Sequence, residues 1–225
     1  LVCGGPSTNL IDLSALRGPN KTIIGLNNTY PKVYPDIWVG ADDPSCYNRH
    51  IFYEPFMKIM RGGYNNRLSE GREIYNLRNM HYFEHEASKY VDLFGKVGKD
   101  TKKFVWHWDV FTVSINIILW MGFKEIYLVG CDLSTDKGDY HHGGVLTPKQ
   151  QQHNSSLYER LFGYLQWLNN NQESLGMNVY SMSPLSRIND LFRYVAIEEL
   201  NTSIMKELPP LGTLYHTTDV DSKKS

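Results

Sequence analysis

The chain has 225 residues, of which 41% are hydrophobic and 21% are charged, and its formal net charge is −1. These proportions exclude a largely disordered chain, and the small net charge argues against electrostatic wrapping of DNA or RNA as the main activity. The three cysteines lack metal-ligand spacing, and no signal peptide or membrane-spanning apolar run is visible, which indicates a cytoplasmic protein with reduced thiols.

Strand-like segments in the first part of the chain each end in small or polar residues. Residues 1–7 read as a strand followed by a glycine turn, and a short helical segment is predicted over residues 9–16. Further strands are predicted over residues 22–26 and 36–40. Short apolar strands at this spacing are typical of a parallel α/β sheet. The polar residues that follow the second and third strands are Asn27, Asn28, Asp42 and Asp43.

The second part of the chain contains the clearest helix and strand. A helix is predicted over residues 112–121, and because it is apolar on all sides we expect it to be buried against the sheet. It leads into a strand over residues 125–130, which is followed by Cys131 and Asp132. The other predicted elements are an amphipathic helix over 51–61, a strand over 73–77, a long helix over 148–174 that stops before Gly176, a strand over 178–182, and short helices from Ser186 and over 194–207.

Together these elements predict an α/β fold with a Rossmann-like, mostly parallel sheet and helices on both faces. We expect one domain over residues 1–211, a small lid region after the strand that precedes Asp132, and a flexible tail over residues 212–225. In an open parallel sheet, ligands bind at the carboxyl ends of the strands, where the loops diverge. The candidate functional residues are therefore those that follow the strands.

Several residue types at these strand ends suit a nucleotide-type ligand. The turn over residues 4–7 (GGPS) offers backbone N–H groups to a phosphate, although it lacks the complete phosphate-binding fingerprints. Asp132 either accepts ribose hydrogen bonds, as an acid at this place does in doubly wound folds, or caps a helix or loop. Thr112 and Ser114 begin the buried helix, and their hydroxyls either donate to a phosphate or cap the helix.

The asparagines and acids after the second and third strands have two interpretations each. Asn27 and Asn28 either cap local backbone or bind a sugar hydroxyl and a base edge, because an amide both donates and accepts. Asp42 and Asp43 either hold Mg²⁺ or Mn²⁺ beside a diphosphate, since carboxylate oxygens are preferred ligands of these ions, or form a turn before Pro44.

Two histidines are candidates for a general base. His142 lies in a glycine-flanked loop after the Asp132 strand, and His153 lies near the start of the long helix. An imidazole above a strand-end cleft is well suited to take a proton at neutral pH. The alternative is an inert surface histidine. No Gly-x-Ser-x-Gly elbow is present, which disfavours covalent acyl chemistry.

Motifs spread over the chain resemble those of the bacterial sialyltransferases that modify lipo-oligosaccharides. The motifs are GGPS at residues 4–7, LNN at 26–28, GFKEIYLVGCDL at 122–133 after the buried helix, and MSPLS at 182–186. The chain also resembles the broader Rossmann-like group that includes the archaeal 6-hydroxymethylpterin diphosphokinases of the MptE type.

The sialyltransferase resemblance implies a nucleotide-sugar donor bound across the strand ends without a metal. It implies phosphate contacts from the glycine turn and from residues 112–114, and a histidine base best matched by His153 and then by His142. An acid, Asp42 or Asp43, stands where those enzymes use an asparagine, which points to another donor or to a metal. The donor- or nucleotide-binding residues implied are Gly5, Pro6, Ser7, Asn27, Asn28, Asp42, Asp43, Thr112, Ser114 and Asp132.

The sequence therefore predicts a glycosyltransferase that moves a sugar from a nucleotide-activated donor to an acceptor hydroxyl. The acceptor is a glycan, a lipid, a protein or a modified nucleobase, and a homo-oligomer is compatible with the prediction. No cofactor is required by this prediction, and Asp42 and Asp43 are the residues that would hold Mg²⁺ or Mn²⁺ if one of these ions takes part. The alternatives are a pyrophosphokinase of the MptE type that uses ATP and Mg²⁺, and a non-catalytic nucleotide-binding module.

Overall fold

The structure of the chain is a computed structural model. It describes residues 1–62, 79–87, 103–106, 109–134 and 146–203. The strand predicted over residues 73–77, the tail predicted over residues 212–225 and most of the predicted lid region lie outside the described residues. None of the helices within these ranges is long and apolar enough to cross a bilayer.

In the described part of the chain, the larger of two sheets has five strands, which pair in the order in which they follow one another in the chain. Every pairing between them is parallel. A parallel sheet of this kind places the carboxyl ends of all its strands at one edge. The strands are β1 (Ile24–Leu26), β2 (Ile37–Gly40), β3 (Met57–Arg61), β4 (Met80–Ala87) and β5 (Lys103–Trp106).

The start of the chain joins this sheet to a second one. The strands β6 (Glu125–Leu128) and β7 (Asn178–Ser181) form a parallel pair. Val2 lies between the sheets and bridges in parallel to both Gly25 and Val129. The start of the chain, β1 and β6 are therefore side by side and run in the same direction, which brings the glycine turn next to Asp132.

Within the described residues, four α-helices accompany the sheets. The start of α2 carries a capping box, in which Thr147 and Gln150 bond to each other's backbone. The residue after α3 is Gly176, whose φ of 62° is the left-handed conformation that glycine adopts readily at a helix end. The helices are α1 (Val110–Trp120), α2 (Pro148–Asn170), α3 (Gln172–Leu175) and α4 (Ile197–Ser203).

Both faces of the sheets are covered, which confirms the predicted α/β arrangement. On one face the strands pack against α1 and α2 in the largest apolar cluster. The prediction that the apolar helix is buried is also confirmed, since residues 111–118 of α1 are all buried. The other face is covered mainly by short 3-10 helices and by α4. The long helix ends at Asn170, and α3 takes up most of the remainder of its predicted range.

The helix predicted over residues 51–61 is wrong. The chain forms a 3-10 helix over Arg49–Tyr53 and then strand β3. Pro55 interrupts the apparent helical pattern, because a proline inside a helix removes a hydrogen bond and clashes with the preceding turn. Lys58 masks the strand in the sequence, because a charged residue is not expected inside a buried strand. In the structure Lys58 is fully buried in the middle of β3 and donates to the carbonyl oxygens of Glu54 and Phe56.

Other boundaries differ in smaller ways from the predicted ones. The helical segment expected over residues 9–16 consists of two 3-10 helices, Pro6–Leu10 and Leu13–Leu16. The strands β4 and β5 were not predicted, because their sequences mix charged and apolar residues without a clean alternation. The predicted helix from Ser186 is the 3-10 helix Arg187–Asp190.

Candidate functional site

A cleft of about 340 Å³ opens at the carboxyl edge of the sheets. Its walls come from the glycine turn, from the residues that follow β1, β2 and β6, and from the first turn of α1. This is the edge at which open parallel sheets bind ligands. Of the predicted residues, the structure brings Gly5, Pro6, Asn27, Asn28, Asp42 and Asp132 to the cleft.

The glycine turn and Asp132 are bonded directly to each other. The backbone N–H of Ser7 donates to Oδ2 of Asp132 at 2.8 Å, and the N–H of Gly5 donates to the carbonyl of Gly130 at 2.9 Å. A Cβ at position 5 would lie 2.5 Å from that same Asp132 oxygen. Glycine is therefore required at position 5 for the two loops to approach this closely.

Two polar atoms at this junction are buried without a hydrogen-bond partner among the described residues. They are Oδ1 of Asp132 and Oγ of Ser7. A buried polar group that lacks a partner costs free energy, so such groups are usually satisfied by an ordered water or by a ligand. The unused carboxylate oxygen of Asp132 is thus an acceptor that suits a hydroxyl of a ligand.

The asparagines and acids after β1 and β2 take different roles. Asn27 adopts a left-handed conformation with φ of 47°, which asparagine tolerates better than most residues, and it lines the cleft with exposed Asn28. Asp42 is exposed in the cleft wall, whereas Asp43 caps the 3-10 helix Pro44–Cys46 by accepting from the N–H of Ser45 at 2.9 Å. Of the predicted acid pair, only Asp42 lines the cleft.

The hydroxyls of Thr112 and Ser114 are not brought to the cleft. Both residues are fully buried in α1. Thr112 Oγ1 donates to the capping residue Asp109 at 2.8 Å, and Ser114 Oγ donates to the carbonyl of Val110 at 2.7 Å. The structure therefore places both hydroxyls inside the helix packing and away from the cleft wall, because a helix buried on all sides also buries its hydroxyls.

The first turn of α1, rather than the hydroxyls of Thr112 and Ser114, lines the cleft. Asp109, Val110 and Phe111 line it. The N–H groups of the first helical residues have no acceptor within the helix, and the helix dipole favours an anion there. Sequence reasoning missed this turn, although an aspartate directly before an apolar helix is a recognisable N-cap signal.

Neither candidate base is among the described residues of the cleft wall. His153 is exposed on α2, and the described residues that line the cleft do not include it. His142 lies outside the described residues. The residues on either side of segment 135–145, namely Ser134 and Leu146, both line the cleft.

A second cavity of about 850 Å³ adjoins the cleft. The two spaces share Pro6, Asp132, Leu133, Ser134 and Tyr158 in their walls. Their volumes are of the order of known small-molecule sites, which are roughly 300–1,000 Å³. The second cavity is also lined by Ser7 and Arg187, whose guanidinium pairs with Glu159. Asp132 and the glycine turn therefore line both the cleft and the second cavity.

The charged side chains that line the cleft in the described part of the chain are all acidic: Asp42, Asp109 and Asp132. Cys131 adds no charge, because its hydrogen bond with the Cys3 thiol and its burial raise its pKa well above the usual range. Within the described ranges, three or more His, Cys, Asp or Glu side chains do not group in a way that could hold a metal ion.

Comparisons with known proteins identify the fold. No protein-family model matches the chain, and no curated protein matches it either. The solved complex of a variant of the sialyltransferase CST-II with CMP matches with a TM-score of 0.51 at 14% identity, covering 86% of this chain and 84% of that chain. CST-II with a trisaccharide acceptor and CMP gives a TM-score of 0.50 at 12% identity and the same coverage.

A third structure, the sialyltransferase CstII from Campylobacter jejuni in complex with cytidine-5′-monophosphate, gives a TM-score of 0.49 at 13% identity, covering 87% of this chain and 84% of that chain. The first two matches confirm the resemblance of the chain to the sialyltransferase fold. At these identities the likeness concerns the fold, and the function has to be argued from the site.

Proposed function

We propose that this protein is a glycosyltransferase that binds a nucleotide-activated sugar at the carboxyl edge of its sheets. The observation that carries the proposal is the junction of the glycine turn with Asp132, where a buried carboxylate oxygen has no partner in the described part of the chain. A carboxylate that is held by one oxygen and has no partner at the other is suited to a ribose hydroxyl. The match of the fold to that of enzymes solved with CMP supports this assignment.

The remaining parts of a nucleotide-sugar donor have partners of suitable chemistry nearby. The N–H groups of Val110 and Phe111, at the start of α1, suit the phosphate. Asn27 and Asp42 also line the cleft and suit polar groups of the sugar or base. In the reaction, the acceptor hydroxyl forms a bond to the anomeric carbon, the bond from that carbon to the phosphate oxygen breaks, and the nucleotide leaves.

A thermal-shift panel tests donor binding. We expect one class among CMP-, UDP-, GDP- and ADP-linked sugars to raise the melting temperature without added Mg²⁺. At a ligand concentration of 100 times Kd the stabilisation is about 2.7 kcal/mol, or roughly 5–10 °C for a chain of this size. The free sugars serve as controls. No shift with any nucleotide, free or sugar-linked, would contradict the proposal.

The acceptor proton is assigned to a histidine, and we infer His142 ahead of His153. His153 is exposed and is not among the described residues of the cleft wall, whereas Ser134 and Leu146, the described residues on either side of segment 135–145, line the cleft. Loss of a general base lowers turnover by roughly 100-fold to 10,000-fold. We therefore expect His142→Ala to lower kcat by that range and His153→Ala to have little effect.

The matched control for this experiment is His50→Ala, at an exposed histidine in the 3-10 helix Arg49–Tyr53. Folding of all three variants is checked by circular dichroism. If neither His142→Ala nor His153→Ala lowers kcat by at least roughly tenfold, the histidine base is wrong. Unchanged donor affinity in the same variants would leave the binding part of the proposal in place.

The acidic lining favours one second candidate, a pyrophosphokinase that uses ATP and Mg²⁺. Asp42, Asp109 and Asp132 are the charged side chains of the described cleft wall, and a polyphosphate beside them is best accommodated with a divalent cation. In the thermal-shift panel this candidate predicts a shift with ATP that requires Mg²⁺, and AMP as a product. A nucleotide shift without turnover of any sugar donor or of ATP would instead indicate a binding module.

A further inference from the structure

We propose that Tyr47 is a positioning residue that fixes the side-chain amide of Asn27, so that the NH₂ group of the amide is presented to the ligand. This deepens the proposed function and rests on it for the identity of the ligand. Tyr47 is buried and follows the 3-10 helix Pro44–Cys46, and Asn27 lies across from it at the end of β1.

The hydroxyl oxygen of Tyr47 is fully used as an acceptor. It receives the backbone N–H of Ala41 at 3.0 Å and the backbone N–H of Asp42 at 2.8 Å. A phenolic oxygen has two acceptor sites and one proton. Its proton therefore remains available for one further partner, which is Oδ1 of Asn27 at 3.2 Å.

This arrangement settles the orientation of the Asn27 amide by elimination. The oxygen and nitrogen of an amide are assigned from the surrounding hydrogen bonds. If the NH₂ group faced Tyr47, the hydroxyl oxygen would have to accept a third hydrogen bond while its own proton lost its acceptor. The oxygen must therefore face Tyr47. Burial also raises the pKa of Tyr47, so the hydroxyl keeps its proton at neutral pH.

Asn27 is held at a second point by Trp38. The indole N–H of fully buried Trp38 donates to the carbonyl oxygen of Asn27 at 2.7 Å. The rings of Trp38 and Tyr47 pack edge to face, with centroids 4.9 Å apart and an interplanar angle of 87°. One aromatic pair thus fixes both the backbone and the side chain of Asn27, which leaves the amide little freedom to rotate.

The consequence is a selective hydrogen-bond donor in the cleft wall. Nδ2 of Asn27 has no hydrogen-bond partner among the described residues, and Asn27 lines the cleft. A fixed NH₂ group donates and cannot accept, so this position selects an acceptor atom such as a phosphoryl or carboxylate oxygen over a hydroxyl that must donate. The same tyrosine also holds the backbone of Asp42, which lies in the same wall.

The test combines Tyr47→Phe with Asn27→Ala in a double-mutant cycle, with affinity for CMP measured by titration calorimetry. We expect Tyr47→Phe to weaken CMP binding roughly tenfold, the effect of one misdirected hydrogen bond. In the Asn27→Ala background we expect a clearly smaller loss, because the amide that Tyr47 orients is gone and only its hydrogen bond with the Asp42 N–H remains to be lost. The control is Tyr34→Phe, which removes a hydroxyl bonded to Glu54 at 3.0 Å and lies outside the described cleft wall.

A second measurement does not depend on any ligand. In the ligand-free protein, the ¹⁵N–¹H signals of the Asn27 side-chain amide should move in Tyr47→Phe, because Oδ1 loses its donor, and stay in place in Tyr34→Phe. Unmoved signals, or equal losses of CMP affinity with and without Asn27, overturn the inference. If wild type binds no nucleotide while the amide signals move as expected, the proposed function fails and the positioning role stands.

Discussion

Replacing Asp132 with alanine is expected to weaken nucleotide binding by about 100-fold or more. The variant removes the carboxylate whose Oδ1 we assign to a ligand hydroxyl, and it also removes the acceptor of the Ser7 N–H. A hydrogen bond to a charged group contributes about 1.5–3 kcal/mol, and each 1.4 kcal/mol is a tenfold change in affinity. Calorimetric titration with CMP, or with the nucleotide that gives the largest thermal shift, measures the loss.

Asp132→Asn separates the role in the fold from the role in binding. Its amide oxygen is able to accept from the Ser7 N–H, so the junction with the glycine turn is kept, but the second atom becomes a donor and the charge is lost. We expect stability close to wild type and affinity lowered roughly 10-fold to 100-fold. The matched control is Asp12→Ala, which removes an exposed aspartate that accepts the N–H of Ser14 at 3.0 Å. Affinity within about threefold of wild type in folded Asp132→Ala would sink the assignment.

The position of the cleft was predictable from the sequence, because it depends on chain direction alone. Once the strands are parallel, every residue that follows a strand lies at the same edge. Asn27, Asp42 and Asp132 come from three separate strand ends, and the structure brings them to one cleft. Their roles in binding remain predictions, but their proximity required nothing beyond strand order and direction.

The orientation of individual side chains was not predictable in the same way. Thr112 and Ser114 looked like phosphate ligands because they begin a helix at the right edge, yet helix α1 is buried on all sides and turns both hydroxyls inward. Tyr47 gave no signal, since one tyrosine among fifteen does not stand out and its partners, Ala41 and Asn27, follow two different strands. Such roles depend on tertiary hydrogen bonds that leave no pattern in the local sequence.

Replacing Gly130 with alanine is expected to lower the free energy of unfolding by about 2–5 kcal/mol. Gly130 has a φ of 69°, and a Cβ there would collide with Oγ1 of Thr8 and lie 2.6 Å from the carbonyl oxygen of Cys3. The left-handed conformation costs a non-glycine residue about 1–2 kcal/mol, and overpacking adds about 1–3 kcal/mol. Since domains are stable by only about 5–15 kcal/mol, the loss is a large fraction of the total.

Variants at two other glycines separate the conformational cost of the Gly130→Ala change from its steric cost. Gly122 has a φ of 82° with open space around its Cβ position, so Gly122→Ala should show the conformational cost alone. Gly163, inside helix α2, has ordinary φ and open space, so Gly163→Ala should stabilise the protein by roughly 0.5–1 kcal/mol. Urea unfolding followed by tryptophan fluorescence ranks the three variants.

Because the carbonyl of Gly130 also accepts the N–H of Gly5, the Gly130→Ala variant should lose nucleotide affinity as well, whereas the other two variants should keep it. A Gly130→Ala protein no less stable than Gly122→Ala would mean that the glycine turn and the Asp132 loop do not approach as closely as described.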